Sequence, residues 1–154
     1  MIFYFKLGEN FQRKARILYG GHTTRIHSSV TYSSMVLHDL VRITLIVAAL
    51  NGLDLQAEDI EDDYLTAPCF EKYLMRAGPK FGINEGKVCI VISSLYGLKI
   101  SGVAFRAFLA EILHNMGFKY SFVDPGVWYR EATKSGCEEI YEYILVYVGS
   151  LLDI

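Results

Sequence analysis

The densest chemistry in the sequence is acidic. Glu58-Asp-Ile-Glu-Asp-Asp-Tyr64 gathers carboxylates at Glu58, Asp59, Glu61, Asp62 and Asp63 beside an aromatic ring. Carboxylate oxygens can ligate a hard divalent cation, or they can simply cap and solvate a turn. On residue types alone capping is the commoner use of an Asp such as Asp59 at a strand end, while for Asp62, Asp63 and Tyr64 a solvated acidic turn with the ring in the core stands level with a binding role. The remaining constellations are empty. His22, His27, His38 and His114 have no ligand-like spacing with one another or with Cys69, Cys89 and Cys137. The three cysteines are odd in number and widely separated, and they read as thiols of a reducing compartment. No Ser/His/Asp set has a nucleophile context, and no phosphate-binding glycine loop is present.

The elements that must position the acidic segment are legible from period and punctuation. Leu53, Leu55 and Ala57 alternate with Asp54, Gln56 and Glu58, the period of a strand with one buried face, and that strand delivers Asp59 at its end. Before it, Leu40, Ile43, Val47 and Leu50 recur at helical spacing, with Asp39 as N-cap and Gly52 as the stop. A short strand over 15–18 leads into an irregular loop, and a second strand is expected over 88–92. Gly97 then breaks the chain before a helix capped by Ser101, carrying the apolar stripe Phe105, Phe108, Leu109, Ile112, Leu113 and Met116, and ended by Gly117. Asp124-Pro-Gly is a turn before a short strand over 127–129. The run 140–148 and Leu151-Leu-Asp-Ile flank Gly149-Ser150 as a hairpin, with Gly first in the turn, as a type II′ turn prefers. The pattern is α+β with antiparallel elements rather than regular βαβ winding.

With 154 residues the chain has the length of one ordinary domain. A composition 52% hydrophobic excludes disorder, and a net charge of −2 argues against a small basic module held to phosphates by excess charge. The mean hydropathy of +0.25 fits a buried core or a covered interface. The longest apolar run lies between Arg42 and Asn51 and falls well short of the roughly 20 residues of a spanning helix. No signal-peptide pattern opens the chain, so an intracellular, cytoplasmic or nuclear protein with no membrane segment is expected.

Read in order, these segments resemble the reverse transcriptase of copia-type retrotransposons. The resemblance rests on Arg13-Lys-Ala-Arg-Ile-Leu, Thr31-Tyr-Ser-Ser and Glu58-Asp-Ile-Glu-Asp-Asp-Tyr-Leu-Thr-Ala-Pro. It continues through Ser94-Leu-Tyr-Gly-Leu-Lys, Gly117-Phe with Val123-Asp-Pro-Gly-Val-Trp, and Tyr143-Ile-Leu-Val-Tyr-Val. It implies a right-hand polymerase: a single fingers-and-palm domain over 1–154, an antiparallel palm sheet backed by helices, and a stop before any thumb. It also implies RNA template, DNA primer and dNTP as partners, with Mg²⁺ as cofactor in two-metal nucleotidyl transfer.

Carried over residue by residue, the resemblance makes Asp59 the first catalytic carboxylate and metal ligand, with the Ile60 backbone carbonyl also facing a metal. Backbone amides at Asp62 and Asp63 would hold the triphosphate, and the Tyr64 ring would exclude a ribose 2′-hydroxyl. The family often has a small or amide residue where Asp63 stands, so Asp63 brings an extra negative charge. Gly97 and Lys99 match the segment beneath template and nucleotide, although the family's Gln-Ala-Pro and a later Trp are replaced by Ile100-Ser-Gly and Phe105. Lys14 and Arg16 fall where basic strand residues would touch the triphosphate.

The decisive departure is at the hairpin. Where the family reads Tyr-Val-Asp-Asp, this chain reads Tyr147-Val148-Gly149-Ser150, so both turn carboxylates are gone. Asp153 lies roughly 13 Å from position 149 in an extended strand, too far to substitute. The expectation is a polymerase remnant with binding of Mg²⁺ impaired, a pseudoenzyme. The alternative is a repurposed, non-catalytic palm module that binds nucleic acid or protein.

Overall fold

The computed structural model describes residues 2–6, 12–21, 33, 35–134, 138–147 and 149–154. His22, His27, Cys137, Val148 and all but Ser33 of the Thr31-Tyr-Ser-Ser segment lie outside the described residues. Along the chain run β1 (Ile2–Lys6), β2 (Gln12–Arg16), α1 (His38–Asn51), β3 (Gln56–Asp59), α2 (Asp63–Thr66) and β4 (Pro68–Arg76). A 3₁₀ segment (Pro79–Asn84) follows, then β5 (Val88–Ser93), α3 (Ser101–Asn115), β6 (Lys119–Tyr120), β7 (Val127–Lys134), β8 (Glu138–Tyr147) and β9 (Ser150–Asp153). The chain divides into two units, Met1–Thr31 with Tyr64–Arg106 and Tyr32–Asp63 with Ala107–Ile154.

The second unit is built on a five-stranded sheet of order β3-β9-β8-β7-β6, and each pairing is antiparallel. Its centre is β8, where Ile144, Leu145 and Val146 are all buried, Leu145 at 1% exposure. Successive strand residues point to opposite faces, so three buried in a row means that both faces are covered there. Helix α1 supplies Leu40, Ile43 and Val47 to an apolar cavity of about 340 Å³ that Val127 and Tyr143 of the sheet also line. Leu50, expected on the same stripe, is instead 81% exposed.

Several boundaries differ from the sequence reading, each for a local reason. Leu37 rather than Asp39 is the N-cap of α1. Asp39 lies in the first turn, where a negative charge suits the helix dipole, and pairs with Arg42 at 3.4 Å on the surface. Gly52 does end the helix, at φ 61°, with the Leu53 N–H closing on the Ala48 carbonyl. Strand β3 begins only at Gln56, and all four of its residues are exposed rather than alternating, because β3 is the sheet's edge. Helix α3 ends as expected at Gly117: the Phe118 N–H reaches Leu113 O and the Gly117 N–H reaches His114 O, with Gly117 at φ 89°. Ser101 is no N-cap acceptor; its hydroxyl donates to the Leu95 carbonyl at 2.7 Å.

Asp124-Pro-Gly fixes where the sheet meets α1. Asp124, 3% exposed, accepts from the Gly126 N–H through Oδ1 (2.7 Å) and from the Leu37 N–H through Oδ2 (3.0 Å). A Cβ on Gly126 would stand 2.5 Å from the Val36 nitrogen, so the backbones approach there only because residue 126 is glycine. Val36 and Gly126 both bond to Val146, which anchors the end of β8 that leads into the hairpin turn.

The first unit holds two hairpins, β1 with β2 and β4 with β5. The sequence reading placed no strand at β4, since Phe70 and Leu74 on one face and Cys69, Tyr73 and Met75 on the other leave no polar side to mark the period. The inward set is half-buried, while Phe70, Leu74, Val88, Ile90 and Ile92 are exposed. The chain after β2 is joined to the segment before α3 by a parallel bridge from Leu18 to Tyr96.

Candidate functional site

In the second unit the end of β3 and the hairpin turn lie side by side. Asp59 is the register partner of Ser150, and the Ser150 hydroxyl stands 3.4 Å from Asp59 Oδ1. One residue on, the Ile60 N–H donates to the Gly149 carbonyl at 2.7 Å. Two stretches 91 positions apart thus meet at the two places the sequence reading singled out. Tyr147 pairs with Ser150, so Ser150 already belongs to β9 rather than to the turn. The expectation of a two-residue Gly149-Ser150 turn with Gly first is corrected accordingly. Asp153 pairs with Gln56 at the far end of the same ladder, roughly 10 Å along the strand from Ser150.

After Ile60 the chain turns through Asp62, whose φ of 53° is left-handed, a conformation short polar side chains tolerate better than most. The turn aims Asp63 inward. Asp63 is 8% exposed and packs against Gly149, while Asp59 and Asp62 are exposed. Among the described residues no three His, Cys, Asp or Glu side chains gather where they could hold an ion.

In the first unit, aromatic rings link the other candidates. The Arg16 guanidinium lies 4.8 Å from the centre of the Tyr96 ring. Tyr96 meets Tyr64 edge-on at 5.1 Å, and Tyr64 meets Phe105 edge-on at 6.0 Å. Gly97 has φ 91°, and a Cβ there would stand 2.2 Å from the Tyr19 carbonyl oxygen. A Cβ on Gly21 would stand 1.9 Å from the Gly97 oxygen, so two glycines press backbone to backbone. Lys99 is half-buried between buried Leu98 and Ile100. Lys14 lies in β2 opposite Tyr4 of β1. Proton affinities shift nearby: burial, then the Glu71 carboxylate that the phenol bonds at 2.6 Å, push Tyr73 up to about 12. Burial likewise raises the Cys69 thiol.

The family described as reverse transcriptase (RNA-dependent DNA polymerase) matches residues 4–152. The chain belongs to the reverse-transcriptase family. It is 28% identical over 144 residues to the retrovirus-related Pol polyprotein from transposon RE1 of Arabidopsis thaliana. That match takes in 90% of the chain but only 9% of the polyprotein. No solved structure matches it. Reverse transcriptases generally use divalent metal and bind template, primer and nucleotide, and the copia-type resemblance read from the motifs holds.

Within this reverse-transcriptase chain, sequence reasoning missed three participants. Tyr96 was quoted only as part of a motif, though its ring joins Arg16 to Tyr64. Gly21 lies in the stretch expected only as an irregular loop, and the Gly20-Gly21 doublet is the signal available for its close contact. The packing of Asp63 on Gly149 carried no signal in either segment alone; it appears only once β3 and the turn are adjacent.

Proposed function

We propose that this chain is the fingers and palm of a retrotransposon reverse transcriptase that has kept its architecture and lost its catalysis. The first unit contains the fingers elements, and the five-stranded sheet of the second is the palm sheet. The observation that carries the reading is the meeting of Asp59 with the Gly149-Ser150 turn. An accidental motif match gives no reason for those two places to adjoin.

The donor set does not fit a pair of Mg²⁺ ions. Small hard cations need near-octahedral oxygen shells, and a two-metal clamp draws several anionic ligands from the protein. Here one exposed carboxylate, Asp59, faces a neutral hydroxyl, Ser150. Asp62 points to solvent, and Asp63 is packed against Gly149. No catalytic step is therefore drawn through a metal. Nucleotidyl transfer relies on positioning and charge stabilisation for nearly all its rate, so losing two carboxylates removes most of it.

The binding roles are carried by the resemblance. Arg16 and Lys14 would meet the triphosphate, amides at Asp62 and Asp63 would support it, and Tyr64 would lie under the sugar. Gly97 and Lys99 would underlie the template. The second reading, a non-catalytic module that binds nucleic acid, is favoured by the exposed Arg16 guanidinium over Tyr96, a cation–aromatic pair of the kind that stacks bases.

Titration with Mn²⁺ followed by electron paramagnetic resonance tests the metal argument. The chain and its Asp59→Asn variant are expected to deplete free Mn²⁺ equally and weakly. A tight site in the chain that disappears in Asp59→Asn overturns the reading.

A further inference from the structure

The volume that a side chain at position 149 would need is already filled. A Cβ built on Gly149 would stand 2.6 Å from Asp63 Oδ2, 3.0 Å from its Cβ and 3.1 Å from its Cγ. The obstruction is thus the body of the Asp63 side chain and not merely its tip. Asp63 is 8% exposed and Gly149 is buried, so the carboxylate has little solvent to swing into. The backbone on both sides is held: the Gly149 carbonyl accepts from Ile60, and Asp63 opens α2.

We propose that positions 63 and 149 share one side-chain volume, and that Asp63 is the residue that denies the hairpin turn its carboxylate. The polymerase reading gives the pair its functional meaning, but the packing stands without it. A carboxylate at 149 would meet the Asp63 carboxylate in the same buried space. Overpacking and like charge at short range both oppose that arrangement. The two positions are therefore coupled: a small residue at 63 is the condition for any side chain at 149. Restoring the turn alone leaves the site obstructed, and the reversal needs a change in α2 as well.

The test is a rescue experiment on the whole chain, read as the thermal unfolding midpoint. Gly149→Ala and Gly149→Asp are each expected to lower it by roughly 3–10 °C, or to prevent folding. Adding Asp63→Ala is expected to return both to within about 2 °C of the Asp63→Ala protein, since contacting sites depart from additivity. Rescue of Gly149→Ala shows shared volume, and rescue of Gly149→Asp shows that the space also accepts a carboxylate. If either double variant is no more stable than its Gly149 single variant, or does not fold, the proposal is overturned. The comparison reads stability and not activity, so it holds or fails independently of whether the turn descends from a polymerase hairpin.

Discussion

Ser150 stands opposite Asp59 across the β3–β9 ladder, its hydroxyl 3.4 Å from Asp59 Oδ1. Where two strands bring a carboxylate and a second side chain into register, exchanging one residue changes the chemistry without changing the ladder. The main chain is held on two sides there: the Ile60 N–H bonds to the Gly149 carbonyl, and Tyr147 pairs with Ser150. At position 150 the pairing needs no particular side chain, acidic or neutral.

Gly97→Ala is expected to destabilise the first unit strongly. It combines a left-handed φ of 91° with a Cβ only 2.2 Å from the Tyr19 oxygen. Strain and overpacking together amount to about 2–4 kcal/mol in urea unfolding. Gly21→Ala should cost a similar amount, and the two should be less than additive because they spoil one contact. A loss below about 0.5 kcal/mol for Gly97→Ala would contradict the close approach.

Asp124→Ala is expected to cost about 2–4 kcal/mol, because it strips acceptors from the Gly126 and Leu37 N–H groups. Asp124→Asn, which keeps one oxygen acceptor, should fall between the two. Hydrogen exchange supplies the site-specific check, with faster exchange at Leu37 and Gly126 in Asp124→Ala. Unchanged exchange at both amides would remove Asp124 from its anchoring role.

How far the fold could be read in advance depended on what each segment declares locally. The stops of both long helices were legible because Gly52 and Gly117 adopt the left-handed turns that glycine favours. The start of α1 was not, because the oxygen that holds the N–H of its N-cap, Leu37, comes from Asp124, 87 positions away. Strand β4 was illegible since both its faces carry apolar residues. Asp59 and the turn were found by motif and order, and the ladder confirmed their adjacency. The role of Asp63 could not be read, since its neighbour Gly149 is remote in sequence and has no side chain to announce a contact.

Tyr73 is expected to titrate late. Burial and the hydrogen bond to Glu71 push its phenol up to about 12, from an ordinary value of 10.0. The folded state therefore holds this proton more tightly than the unfolded chain. The stability it contributes is present in full below about pH 10 and is lost as pH rises toward 12. Tyrosinate absorbance of the chain minus that of Tyr73→Phe isolates the group, and Glu71→Gln should move its midpoint down. A difference midpoint near the ordinary value would contradict the assignment.

On the proposed function, this chain is a reverse-transcriptase palm with too few carboxylates for catalysis. Primer extension on an RNA template, with Mg²⁺ or Mn²⁺ and all four dNTPs, tests it most directly. No templated product is expected from the chain above that of Asp59→Ala. Templated extension by the chain that Asp59→Ala abolishes would contradict it, and would require a second carboxylate to serve beside Asp59.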